Sequence, residues 1–207
     1  MLIRLASKLQ SDSIVDGEGI RAVIWTQGCP HHCPSCQNPD TWDYNGGFLY
    51  DVEDLKKEIN ALDDEVGVTF SGGDPFEQAE ACANLAKYIH SIKLNVWCYT
   101  GYTYEQLLKK AEKDHNVMDF LKEIDILVDG PFVLKLKSYE TKFRGSKNQR
   151  LIDVPESLKK NKVVLHDVEP KKKKEKKQEI YISKIRKNLF LFIVIMLLLI
   201  CEIHVII

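Results

Sequence analysis

Residues 22–37 read AVIWTQGCPHHCPSCQ, a run of mostly apolar and β-branched residues that leads directly into three cysteines. Cys29, Cys33 and Cys36 have the spacing CxxxCxxC. Thiolates bind soft metals well, and several of them within a few residues can close on one metal centre. Four cysteines would complete a zinc ion or a cubane cluster, whereas three leave one position open. At such a position on an iron–sulfur cluster, a substrate can bind and receive an electron.

Two other interpretations of the cysteines stay open at this point. In a zinc site His31 or His32 would be the fourth ligand, but both lie inside the first cysteine gap, where a tetrahedral site is hard to close. A disulfide is the other alternative, although clustered cysteines in a cytosolic enzyme more often bind metal or act in catalysis. We interpret the two histidines as loop residues, and Cys82 and Cys98 as small buried apolar residues.

The charge of the chain is unevenly distributed. From Lys171 onward lie 9 of the 29 basic residues and 3 of the 30 acidic ones, so the first 170 residues carry 20 basic and 27 acidic side chains, a net charge of −7. An acidic body argues against nucleic acid as a partner, because phosphate binding needs a basic face. The opening residues MLIRLASKLQ lack the long apolar run of a secretory signal, so we expect a cytoplasmic protein.

Strands and helices are expected to alternate after the cysteines. Strands are predicted at residues 22–26, 66–70, 94–99 and 125–128. Helices are predicted at residues 51–62, with Asp51 as the N-cap, at residues 76–91 and at residues 117–122, and a further helix after TGYTYEQL is predicted to end at about residue 113. This alternation is typical of parallel βαβ units, of which we count four to six. The predicted fold class is α/β, an open, curved sheet or partial β/α barrel with a parallel sheet.

Three polar segments each follow a predicted strand: the cysteine loop, SGGDP at residues 71–75 and YTGY at residues 99–102. Because parallel strands end at the same edge of a sheet, these segments are expected to converge there. In SGGDP, Gly72 and Gly73 let the backbone approach a ligand closely, and Asp74 is expected to accept a hydrogen bond from a ligand amine. The alternative is a tight strand-to-helix turn in which Asp74 and Pro75 begin the helix.

These motifs resemble those of the radical S-adenosylmethionine superfamily. The resemblance is closest to the activating proteins of anaerobic ribonucleoside-triphosphate reductases and covers about residues 10 to 156. It is carried by the segments GIRAVIWTQGCPHHCPSCQNPDTWD, VTFSGGDPF, VWCYTGYTYE, IDILVDGPF and FRGSKNQRLIDVP.

The resemblance implies a role for each matching residue. Cys29, Cys33 and Cys36 would hold three irons of a [4Fe–4S] cluster, and the amine and carboxylate of S-adenosylmethionine would chelate the fourth. The cofactor contacts implied by the resemblance come from Ser35, Cys36, Gln37, Gly72, Gly73 and Asp74. One departure is Ser35, where many members of the superfamily carry an aromatic residue.

The implied activity is the reductive cleavage of S-adenosylmethionine, followed by formation of a glycyl radical on the partner reductase. A cluster able to cleave a sulfonium lies near the low end of cluster potentials, which span about −700 to +450 mV, so a low-potential electron donor such as flavodoxin is implied. Alternatives are the activase of another glycyl-radical enzyme, such as a formate-lyase-type enzyme, or a small-molecule radical enzyme. A zinc-binding interaction module is the alternative from a different class.

Two further segments receive structural interpretations. FRGSKNQR, residues 143–150, is polar and basic and is predicted to be a surface loop, which by resemblance meets the reductase or orders the site. Asp129 and Gly130, after the last predicted strand, are interpreted as a structural turn.

The composition divides the chain into three parts: an activase domain at 1–168, a basic low-complexity linker at 169–188 and a hydrophobic segment at 189–207. As a helix the last segment would be about 28 Å long at ~1.5 Å per residue, close to the ~30 Å hydrocarbon core of a membrane. The lysines before it fit a cytoplasmic flank. A tail anchor and a sequence artefact from a misplaced reading frame both stay open, so a membrane partner is expected only if the segment is genuine.

Overall fold

The fold is built on one mixed β-sheet, and the computed structural model describes residues 1–168. In this part of the chain the sheet has eight strands: β1 (Leu2–Leu5), β2 (Gln10–Ser13), β3 (Arg21–Thr26), β4 (Phe48–Asp51), β5 (Gly67–Gly72), β6 (Asn95–Tyr99), β7 (Ile126–Asp129) and β8 (Arg150–Asp153). The α-helices are α1 (Val52–Asn60), α2 (Ala79–Ser91), α3 (Tyr104–Ala111), α4 (His115–Lys122) and α5 (Val154–Lys160). Short 3-10 helices cover Pro39–Thr41, Pro75–Gln78 and Leu134–Leu136.

The strand order is β4-β1-β3-β5-β6-β7-β8, with β2 also paired to β3. Strands β3, β5, β6 and β7 are parallel, whereas β1, β2, β4 and β8 pair antiparallel with their neighbours. The sheet is open, as predicted. The expected four to six βαβ units were too many, because across residues 1–168 the four parallel strands are joined by only three crossovers.

The helices pack against one face of the sheet and form a single hydrophobic core with it. Side chains alternate along each strand, so Ile24, Phe70 and Cys98 point into this core. Phe120 of α4 meets Phe70 at a ring-centroid distance of 5.2 Å and Phe76 at 4.9 Å. The core therefore holds the parallel strands in register and fixes where their carboxyl ends lie.

Helix caps found in the structure agree with the sequence signals. Asp51 caps α1, as predicted, by accepting a hydrogen bond from the Glu53 backbone N–H. Thr103 and Gln106 form a reciprocal capping box at the start of α3. Such caps satisfy backbone donors that a helix leaves unpaired at its first turn. The cap at Thr103 sets the point at which the loop after β6 ends.

Arg21, the first residue of β3, is a fully buried cation at the amino ends of the parallel strands. Its guanidinium donates to Thr69 Oγ1 (2.7 Å), Asn95 Oδ1 (2.7 Å) and the Val68 carbonyl (2.9 Å), and it also reaches the Glu18 and Asn95 carbonyls. Burial lowers the pKa of Arg21 to about 10. The side chain thus joins three parallel strands at the end of the sheet opposite the cysteine loop.

The predicted linker at 169–188 and hydrophobic segment at 189–207 lie outside the described residues, and the predictions about them stay predictions. Within residues 1–168, no helix is long and apolar enough to cross a membrane.

Candidate functional site

The loops that follow β3, β5 and β6 meet at one edge of the sheet, which confirms the predicted convergence. We call residues 27–38 the cysteine loop, residues 71–75 the glycine turn and residues 100–103 the threonine loop. The Asp74 backbone N–H donates to the Gly28 carbonyl (2.8 Å), and the Gly73 N–H donates to the Thr26 carbonyl (2.7 Å). The Thr100 hydroxyl donates to the Asp74 carboxylate (2.8 Å). Three segments far apart in sequence are therefore hydrogen-bonded into one site.

The cysteine loop places three free thiols beside this junction. Cys29 is buried, with 9% of its surface exposed, whereas Cys33 and Cys36 are half-buried. The Cys36 N–H donates to the Cys33 carbonyl (3.0 Å), and the Cys36 sulfur accepts from the Asn38 N–H (3.4 Å). All five cysteines in the described part of the chain are free, so the disulfide alternative finds no support there.

Burial is the main cause of the raised pKa values of Cys29 and Cys33. Burial raises the pKa of Cys29 to about 11, the His31 backbone N–H lowers it in part, and the charges of Asp74, Cys33 and Cys36 raise it. Burial also raises the pKa of Cys33, against a hydrogen bond from the Phe132 backbone. Metal binding would have to displace these protons. Across residues 1–168 no three His, Cys, Asp or Glu side chains stand in a metal-holding arrangement, so the thiols would have to draw together around a metal.

The glycine turn packs directly onto the backbone that leads into the cysteine loop. Gly72 has a positive φ of 96°, a region that favours glycine. A Cβ on Gly73 would lie 2.3 Å from the Gly28 carbonyl oxygen. Among the described residues, no group donates a hydrogen bond to the Gly73 carbonyl. The two glycines thus permit a close backbone contact and leave one carbonyl free at the junction.

The Asp74 carboxylate is expected to accept a hydrogen bond from a ligand amine, but in the structure groups of the protein already donate to it. It is fully buried and accepts hydrogen bonds from the Phe76 N–H (3.1 Å), the Thr100 hydroxyl and the Gly101 N–H (3.0 Å). His31 Nε2 is also 2.7 Å from its Oδ2. The first of these bonds matches the predicted alternative in which Asp74 begins the following helix. The carboxylate is therefore already occupied by the protein.

The two histidines of the cysteine loop, which we interpreted alike, occupy different surroundings. The His31 ring lies 4.4 Å from the Tyr102 ring and faces the site, whereas exposed His32 lies 4.8 Å from the Trp42 ring. Ser35, with a positive φ of 60°, and Gln37 are exposed beside Cys36. The bond between His31 and Asp74 was missed because nothing in the sequence marks contacts between residues 43 positions apart.

Sequence reasoning also missed a polar network behind the cysteine loop. Glu77 accepts hydrogen bonds from the hydroxyls of Tyr44 and Tyr102 (both 2.8 Å) and from Lys110 Nζ (2.5 Å). Burial would raise the pKa of Glu77, but these hydrogen bonds lower it below its ordinary value. The ionised carboxylate holds both tyrosine rings beside the site.

The segment FRGSKNQR is more ordered than a solvated loop would be. Ser146 is fully buried, Gln149 donates to the Gly130 carbonyl (3.1 Å), and Arg150 begins β8. Arg150 also pairs with buried Asp129, which accepts from the Tyr104 N–H (2.8 Å). Asp129 and Gly130 thus form a structural turn, as interpreted, and the segment braces it.

Comparison with known proteins gives the class of this site. Residues 15–152 match the family described as "4Fe-4S single cluster domain". The chain is 32% identical over 145 residues to the anaerobic ribonucleoside-triphosphate reductase-activating protein of Haemophilus influenzae, covering 66% of this chain and 89% of that protein. It is 35% identical over 147 residues to the protein of that name from Escherichia coli K12 (66% and 90%), and 31% identical over 143 residues to that of Enterobacteria phage T4 (66% and 86%).

The chain therefore carries a single-cluster [4Fe–4S] domain. More narrowly, it belongs to the family of anaerobic ribonucleoside-triphosphate reductase-activating proteins. Among solved structures, QueE from Escherichia coli matches with a TM-score of 0.41 and 17% identity, covering 50% of this chain and 54% of that one.

Proposed function

We propose that this chain activates an anaerobic ribonucleoside-triphosphate reductase by reductive cleavage of S-adenosylmethionine at a [4Fe–4S] cluster, which generates a glycyl radical on the reductase. The observation that carries the proposal is the loop with three free thiols, hydrogen-bonded to the glycine turn at the carboxyl edge of the sheet. In fold terms, we propose that the open sheet is a partial β/α barrel of the radical S-adenosylmethionine type.

Cys29, Cys33 and Cys36 fit the cluster by their chemistry. They are free thiols within eight residues of an irregular loop, and each sulfur has a backbone N–H nearby, from His31, Phe132 and Asn38 respectively. Hydrogen bonds to the sulfurs are one of the factors that set the potential of a cluster. When bound, the cluster supplies one electron to the sulfonium.

S-adenosylmethionine is proposed to lie between the cysteine loop and the glycine turn. Ser35, Cys36 and Gln37 would flank it on one side, and Gly72, Gly73 and Asp74 would receive its amino group on the other. The Gly73 carbonyl supports this assignment, because it accepts no hydrogen bond from the described residues and both of its lone pairs are available to an ammonium donor. With its carboxylate occupied, Asp74 would act mainly by holding the turn in place.

The proposed protein partner is the reductase, and the proposed electron donor is a low-potential protein such as flavodoxin. The cysteine loop exposes Pro34, Ser35 and Gln37 at the surface, which suits a macromolecular substrate whose own surface closes the site. Excluding water matters because a radical reaction is otherwise quenched by the solvent.

Anaerobic reconstitution of the full chain with iron and sulfide tests this proposal. The expected product is a brown protein with about four iron atoms per chain that forms deoxyadenosine from S-adenosylmethionine under dithionite. A protein that takes up zinc instead and forms no deoxyadenosine would support the zinc-binding interaction module.

Replacing Gly73 by alanine is expected to slow deoxyadenosine formation about 100-fold, the loss that a displacement of about 1 Å can cause. The new Cβ would lie 2.3 Å from the Gly28 carbonyl oxygen, and backbone atoms cannot yield cheaply. The glycine turn would therefore move away from the cysteine loop. Initial rates measured at equal iron content, together with the Tm of each protein, separate this effect from loss of cluster or fold. An unchanged rate would show that the close contact is not needed.

A further inference from the structure

His31 is the side chain through which the middle of the cysteine loop reaches the other two loops of the site, whereas Gly28 contacts the glycine turn through its backbone carbonyl. Its Nε2 lies 2.7 Å from Asp74 Oδ2, and its ring packs edge-on against Tyr102. The threonine loop leaves room for the ring, since a Cβ on Gly101 would lie 2.3 Å from the imidazole. The imidazole therefore touches both the glycine turn and the threonine loop.

Asp74 gives this contact its strength. The carboxylate is 0% exposed, and burying a charged group without partners is costly. Its other hydrogen bonds come from Phe76, Thr100 and Gly101, so they hold it on the side of β5 and β6. In the described chain, His31 supplies the only side chain of the cysteine loop that bonds to this carboxylate.

The backbone of the cysteine loop does little to fix the position of its middle part. Gly28 and Cys29 donate to the carbonyls of Thr41 and Trp42, at the start of the loop. Beyond them, within residues 1–168, the bond from the Cys36 N–H to the Cys33 carbonyl is the only hydrogen bond between two backbone groups that residues 30–36 make. A segment with so few backbone bonds depends on side-chain contacts for a defined position.

We propose that His31 is a positioning residue, whose hydrogen bond to the buried Asp74 carboxylate holds the cysteine loop against the glycine turn. A role of His31 in positioning the cluster ligands rests on the proposed function, because it requires that Cys29, Cys33 and Cys36 ligate iron. As a statement about the loop, the proposal holds in the metal-free protein. The two parts can be tested separately.

The first test uses the full chain without metal. Alkylation by iodoacetamide is followed by mass spectrometry under anaerobic conditions. In His31→Ala, Cys29 is expected to react about tenfold faster, which corresponds to about 1.4 kcal/mol for one lost hydrogen bond to a charged group. Cys82 and Cys98, both 0% exposed, report whether the core stays closed.

The matched variants are His32→Ala, which removes the neighbouring imidazole, and His31→Gln, which keeps an N–H donor. Both are expected to react at the wild-type rate at Cys29. Wild-type reactivity in His31→Ala would overturn the proposal. Equal reactivity of Cys29 in His31→Gln and His31→Ala would also overturn it. If Cys82 becomes reactive in His31→Ala as well, this second comparison is the deciding one.

The second test reads the cluster itself. After reconstitution, His31→Ala is expected to hold less iron per chain than wild type and to lose the change that S-adenosylmethionine causes in the electron paramagnetic resonance spectrum of the reduced cluster. His32→Ala should match wild type in both readouts. A wild-type spectrum in His31→Ala would contradict the positioning role. A wild-type chain that takes up no cluster would refute the proposed function, while the alkylation result would still decide the role of His31 in the loop.

Discussion

Replacing any one of Cys29, Cys33 and Cys36 by alanine is expected to reduce deoxyadenosine formation to the level seen without protein. Each cysteine contributes one of three sulfur ligands, and no other side chain of the described residues stands ready to replace it. His31 is bonded to Asp74, and His32 packs against Trp42. The loss is measured by chromatography of the products after anaerobic reconstitution, with iron content determined on the same samples.

Cys82→Ala is the matched control for these variants. Cys82 lies fully buried in α2, so alanine removes a thiol while suiting the helix. This variant is expected to keep its iron and its activity. Full deoxyadenosine formation by any of the three loop variants would rule out the three-cysteine cluster.

Replacing Arg21 by leucine is expected to lower the free energy of unfolding by about 3 to 4 kcal/mol, because several buried acceptors lose their donors at once. The Val68 carbonyl and Thr69 Oγ1 would each lose a hydrogen bond at a buried residue, and Asn95 Oδ1 would lose one at a half-buried residue. The guanidinium also lies 5.3 Å from the Trp97 ring. Urea unfolding followed by tryptophan fluorescence measures the change.

Arg21→Lys separates charge from geometry. An ammonium group keeps the charge but cannot make the forked set of hydrogen bonds, so an intermediate loss of stability is expected. If Arg21→Leu unfolds at the same urea concentration as wild type, the guanidinium does not join the strands as described.

The sequence was sufficient to predict the site's location but not its internal contacts. Three polar segments follow strands β3, β5 and β6, and parallel strands end at one edge, so their convergence follows from strand order. The bond between His31 and Asp74 and the Glu77 network with Tyr44 and Tyr102 depend on how the loops fold back. No periodicity or spacing along the chain carries that information.

The antiparallel strands were missed for a related reason. β2 has the sequence QSDS, and β8 begins at the end of a basic loop, so neither shows a clear alternation of apolar and polar residues. Strands of four residues are stabilised by their partners rather than by their own pattern. Arg21 was likewise left outside the strand predicted at residues 22–26, because an arginine that opens an apolar strand needs buried acceptors, which only the folded sheet supplies.

The most direct measurement combines the reconstituted chain with the anaerobic reductase, S-adenosylmethionine and dithionite, and records the electron paramagnetic resonance spectrum of the reductase. The proposed function predicts a glycyl doublet on the reductase that is absent when Cys33→Ala replaces the wild-type chain. Deoxyadenosine formation without any doublet would contradict it, and a doublet on another glycyl-radical enzyme alone would assign the chain to that partner.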